Sequence, residues 1–173
     1  MWTEDYKNRW QSSISFPPIA ESLKDAFPQN WLRLHYFKGS QRLPKDKEDV
    51  LHIFKNVNDV FDLINAKSVI IITTDWSGIY EGSTFWDTTS VDSFGNKALR
   101  KLYITKRDWH NGVLDDLIFD VASAKRAGVI IADESFQWLM HPYDGGMDII
   151  VFNNRLYKKL SSKKELLGLV AHL

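Results

Sequence analysis

Cysteine is absent from this chain, which excludes disulfides, thiolate metal centres and a cysteine nucleophile, and accords with a reducing compartment. An excess of either charge is absent too. The 22 Lys and Arg are matched by 22 Asp and Glu, so the molecule as a whole exerts no general attraction on nucleic acid or on an anionic membrane. No apolar run reaches the 18 or so residues of a spanning helix. The first residues include Glu4 and Asp5 where a leader would be apolar, so no cleaved signal is expected and a cytoplasmic location is.

The familiar chemical signatures are missing as well. None of His35, His52, His110, His141 and His172 forms an HExxH motif, and there is no GxGxxG, GxxxxGK[ST] or GxSxG. The expectation is no catalytic residue that can be named, no metal site and no cofactor.

What is present suits a single α/β domain spanning residues 1–173, because 173 residues with 44% hydrophobic content can bury one sizeable core and two would each be thin. Pro17-Pro18 precedes a short helical run at 19–27, and 31–37 alternates as a strand with Arg33 and His35 on one side and Leu32, Leu34 and Tyr36 on the other. Residues 47–64 set Val50, Leu51, Phe54, Val57, Phe61 and Ile64 along one helical face. The run at 68–74 is apolar on both sides, as a buried strand is. This strand, helix and buried strand predict a right-handed parallel crossover, with the loops after Phe37 and Thr74 on one edge of the sheet. Further strands are expected at 99–105, 129–132, 136–141 and 147–152, with a helix over 112–125. A last helix runs through Leu156, Leu160, Leu166, Leu167 and Val170, with Ser161-Ser162 able to break it. The predicted architecture is a mixed β-sheet packed by helices, ending in a hairpin-like segment and a terminal helix.

Residues 75–97 hold Trp76, Tyr80, Phe85, Trp86 and Phe94 amid polar residues, and either hide short elements or form a functional loop. Large aromatics in loops are interface material, which marks Trp76, Tyr80, Trp86 and Trp109 as contact candidates. They serve equally to fold the loop onto the sheet. The segment carries Asp75, Glu81, Asp87 and Asp92 without Lys or Arg before Lys97, which argues against single-stranded nucleic acid. Arg42 and Asp75 follow the first two strands, and Arg107 and His110 the third; they meet at one edge if all three strands are parallel. That composite would suit a small hydrolase or nucleotide-binding enzyme, the alternative to a non-enzymatic protein-binding protein.

The late segment Met140-His141-Pro142-Tyr143-Asp144-Gly145-Gly146-Met147-Asp148-Ile149-Ile150 reads as a hairpin whose Asp-Gly-Gly tolerates positive φ. Tyr143 and Asp144 join the candidate binding residues, with Asp144 and Asp148 expected to hold the turn through backbone amides. With Trp31-Leu32-Arg33-Leu34 and the helix that follows, this segment resembles an uncharacterised bacterial family, domain of unknown function 3885. That family shows a Tyr-Asp-Asp-Arg-Gly-x-Asp-Ile turn, matched here at Tyr143, Asp144, Gly146 and Asp148 but without the arginine. A distant similarity to small immunity proteins, which neutralise toxins in bacterial competition, implies a protein partner; no nucleic acid and no membrane are expected.

Overall fold

The computed structural model describes residues 2–14, 16–93, 96–163 and 169–171. Helix α1 (Trp2–Ser13) opens the chain, and a 3-10 turn (Ala20–Ser22), α2 (Leu23–Ala26) and a second 3-10 turn (Pro28–Asn30) lead into β1 (Trp31–His35). Next come α3 (Lys47–Ile64), β2 (Ser68–Thr74), β3 (Thr84–Ser93), β4 (Asn96–Asp108), α4 (Asp115–Ala122) and β5 (Ile130–Ala132). The chain continues through β6 (Trp138–Tyr143), β7 (Gly146–Val151), α5 (Asn154–Ser162) and β8 (Leu169–Ala171). The strands form one eight-stranded sheet in the order β3-β4-β2-β5-β6-β7-β1-β8.

The α/β class and the single sheet packed by helices agree with the sequence reading. The pairing does not: every recorded neighbour is antiparallel. Strands β1 and β2 do run the same way, but β7, β6 and β5 lie between them, so α3 crosses over three strands rather than joining parallel neighbours. Later strands fill the gap, and only the pairing register, invisible in sequence, decides that.

Helix α3 forms where Asp46 caps it, accepting a hydrogen bond from the Asp49 amide at 2.9 Å, and stops at Asn65 in the left-handed conformation. Its buried stripe is Ile53, Val57, Val60 and Phe61, turned slightly from the predicted face, and Leu51 is exposed. This stripe packs with α4 and α5 on one side of the sheet over Leu32, Leu34, Val69, Ile71, Met140 and Ile149. The other side buries Ile70, Ile72, Leu102, Ile104, Leu139 and Ile150 under α1 and α2. The apolar residues of β2 therefore divide between two cores, as its unbroken run implied.

Helix α1 is hard to recognise in sequence because its apolar residues are sparse, yet Tyr6, Trp10 and Ile14 recur every fourth residue and all are buried. Trp10 meets Phe136 and Trp86 edge-to-face at 5.1 and 6.0 Å. The 75–97 segment hides β3, which with β4 makes a long hairpin bulged between Phe85 and Asp87. At the other end Val170 lies in β8, on the edge of the sheet beside β1, not in a continued helix; Leu166, Leu167 and Phe94 lie outside the described residues.

Glu134 fastens α1 to the sheet. Its carboxylate accepts hydrogen bonds from the Tyr6 hydroxyl at 2.8 Å and from Ser68 Oγ, and pairs with Lys106 at 2.8 Å. Lys106, then Ser68, hold the carboxyl down at about 2. Glu134→Gln should lower stability by about 1–2 kcal/mol at neutral pH, a range reduced for partial exposure. A depressed carboxyl stabilises above its unfolded value and loses that contribution as pH falls through its folded one. Thermal melts of both proteins should therefore converge between about pH 4.5 and pH 2, and a gap that persists at the acid end would refute the assignment.

Candidate functional site

The sheet sorts the sequence candidates by end. The end where β1, β2 and β6 finish carries Arg42, Asp75, Trp76, Tyr143 and Asp144. Because β4 runs antiparallel to β2, with Ser68 opposite Asp108 and Thr74 opposite Leu102, Arg107, Trp109 and His110 lie towards the opposite end, and Arg107 is about 17 Å along the strand from the level of Thr74. Arg42 is engaged at the β6–β7 turn, where it binds Asp144, whereas Asp75 is bonded to Lys101 of β4, with β2 and β5 between β4 and β6. The four-residue composite is therefore not assembled.

Of the aromatic candidates, one is core and one packs against it. Trp86 is buried under α1 and donates from Nε1 to the Thr3 carbonyl at 3.1 Å. Trp109 stacks on Phe61 with centroids 4.3 Å apart and planes at 17°. Tyr80 is half-buried, with the Arg107 guanidinium 5.8 Å from its ring centroid, and His110 is exposed beside the Asn111 carbonyl.

Trp76 is different. It is 65% exposed, with Ile79 beside it at 50%, in the loop of residues 75–83 that carries the chain from β2 to β3. The loop is locked at every turn. Ser77 Oγ accepts from the Thr74 amide at 3.1 Å while the Ser77 amide donates to Thr74 Oγ1 at 3.2 Å. The Asp75 amide donates to the Lys101 carbonyl at 3.0 Å, and the Lys101 amide returns a bond to Asp75 Oδ1 at 3.2 Å. Arg126 Nη1 donates to the Gly78 carbonyl at 2.5 Å and Arg107 Nη2 to the Glu81 carbonyl at 2.9 Å. Gly78 and Gly82 supply the positive φ angles, 82° and 72°, that so tight a path requires. Sequence reasoning finds Trp76, and finds Arg100 within the basic run 97–107, but does not bring Arg100, Lys125 and Arg126 together beside the indole; they come from other elements, and no local signal links them to the loop.

The second polar locus is the β6–β7 hairpin, where the two halves of the resemblance meet. Arg33 lies opposite Asp148, and its Nε and Nη2 donate to Asp148 Oδ1 and Oδ2 at 2.7 and 3.0 Å. The guanidinium lies 4.8 Å from the Trp31 ring centroid and 5.2 Å from that of Tyr143. His141 is opposite Asp148 on the other strand, and burial lowers its pKa against the pull of Glu21 and Asp148. Burial, then Asp148, pushes the Tyr143 phenol up to about 12. Arg42 Nη2 donates to Asp144 Oδ1 at 2.7 Å. Both carboxylates thus bind guanidinium groups rather than the expected backbone amides, and neither Asp144 nor Gly145 takes a positive φ. With each arginine answered by a carboxylate, this locus holds strands together and offers little uncompensated charge to a ligand.

The fold is an α/β domain with one antiparallel sheet packed by helices, and no helix among the described residues is long and apolar enough to cross a membrane. Residues 19–164 match the family described as Domain of unknown function (DUF3885), and the chain belongs to that family. Helix α1 precedes the matched region. No curated protein and no solved structure matches the chain.

Proposed function

We propose that this is a non-enzymatic protein that recognises another protein through the 75–83 loop. The observation that carries the reading is the exposed Trp76 on a loop held by reciprocal hydrogen bonds. Leaving an indole in water forgoes roughly 2–3 kcal/mol of burial. A partner that covers it gains that amount, and a loop already fixed loses little conformational entropy on binding. An immunity role is the narrower form of the proposal and requires the partner to be a toxin. The enzymatic alternative needs Arg42, Asp75, Arg107 and His110 in one pocket, and their separation does not support it.

Affinity capture from the native cell with the unaltered chain and with Trp76→Ala tests the reading. The variant should melt normally, because the indole packs little, yet bind about 30-fold or more weaker, corresponding to a hot-spot loss of about 2 kcal/mol. Equal capture of the same partner by both proteins would reject the loop as the contact.

A further inference from the structure

Trp76 stands between two clefts of unlike origin. One, about 330 Å³, is lined by Ile19, Glu21, Ser22, Thr74, Val91 and Arg100 as well as the indole. The other, about 320 Å³, lies between Trp76-Ser77 and residues 124–127, including Lys125 and Arg126.

Arg100, Lys125 and Arg126 form no ion pair among the described residues, as most of the described Lys and Arg do not, so their charge is open to a ligand where that of Arg33, Arg42 and Lys106 is met by a carboxylate. Among the described residues Arg100 donates to its neighbour's carbonyl, at 3.4 Å. Lys125 lies 4.7 Å from the Phe119 ring centroid, and Arg126 donates to loop carbonyls. Opposing them are Glu21, in the first cleft, and Asp75, one of whose oxygens accepts from the Lys101 amide. The surroundings of the indole are therefore net positive on a molecule whose total charge is zero.

We infer that the loop docks an acidic segment of a partner protein, an apolar side chain covering Trp76 while carboxylates meet Arg100 on one flank and Lys125 with Arg126 on the other. This rests on the protein-binding reading and adds the partner's chemistry to it. Arginine beside an aromatic anchor is the composition of binding hot spots, and unpaired cations at the rim speed the approach of an acidic surface. A phosphodiester chain fits less well, because it needs a continuous positive track and Glu21 and Asp75 interrupt this one.

The test selects a random peptide library displayed on phage against the intact chain, then measures synthetic versions of the enriched peptides by fluorescence anisotropy. Expected are peptides with Asp or Glu flanking an aromatic or large aliphatic residue, bound about 30-fold or more weaker by Trp76→Ala. Arg100→Glu and Lys125→Glu should each weaken binding about tenfold at low salt and less at high salt. Arg126 is left intact because it braces the loop, and melting curves verify each fold. Peptides that require Trp76 but carry no acidic bias, or ignore both charge reversals, overturn the acidic partner while protein binding stands. Peptides indifferent to Trp76, or no enrichment, overturn both. A labelled oligothymidylate that binds comparably, and is lost in Trp76→Ala, reassigns the surface to nucleic acid and overturns the inference.

Discussion

Arg33→Met is expected to lower stability by about 3–5 kcal/mol, and Asp148→Ala by a smaller 2–3 kcal/mol or so, although both break the same ion pair. The asymmetry follows from exposure. The Asp148 side chain is only 7% exposed, so losing Arg33 strands a carboxylate away from water between His141 and the β1 backbone. The Arg33 side chain is 26% exposed, and when Asp148 is removed its guanidinium can turn outward and rehydrate. In the native protein the bidentate bond to Asp148 raises the Arg33 pKa further, against burial, so the cation is never in question. The double variant Arg33→Met/Asp148→Leu should recover most of the loss, since apolar residues of similar volume replace both charges. Urea unfolding of the four proteins gives the comparison. Equal losses in the two single variants, or no recovery in the double, would show that packing against Trp31 and Tyr143 rather than charge governs this locus.

Much of the scaffold was legible because it is local. The helix over 47–64 carries its own cap, stripe and stop, and the 68–74 strand declares burial on both sides by lacking any polar alternation. The late hairpin was visible from its turn. Pairing was not: Arg33 and Asp148 were both in view, in the two segments that carried the resemblance, but only the register of β1 on β7 sets one against the other. The same limit undid the composite site, since Arg107 joins Asp75 only if β4 is parallel. Trp86 reads as a loop residue in sequence because the bulge at Phe85/Asp87 breaks the alternation that marks a strand. Trp76 was legible as a candidate, while its cationic surroundings come from β4 and from the turn after α4, far apart in sequence.

Gly146 and Gly145 look interchangeable in sequence and should behave very differently. A Cβ on Gly146 would sit 2.2 Å from the Leu34 carbonyl oxygen, and 2.9 Å from the Tyr143 hydroxyl. The first of these is backbone in a paired strand, so relief requires β7 to move away from β1, and with it the Arg33–Asp148 pair two residues along. The Tyr143 ring occupies the space that a side chain at 146 would take, covering the glycine from the neighbouring strand. Gly146→Val should therefore cost about 3 kcal/mol or more, beyond ordinary overpacking, because the clash is with main chain. At Gly145 the nearest atom is Tyr143 Cε2 at 3.6 Å, followed by Arg42 Cγ at 3.8 Å, and φ is not left-handed. Gly145→Ala is accordingly expected within about 0.5 kcal/mol of the parent, with any gain arising from a less flexible unfolded chain. The cause is close strand approach at one position, not the positive φ anticipated for both. Urea midpoints for the two variants decide it: comparable losses at 145 and 146 would mean that turn conformation, rather than the contact between β7 and β1, selects glycine here.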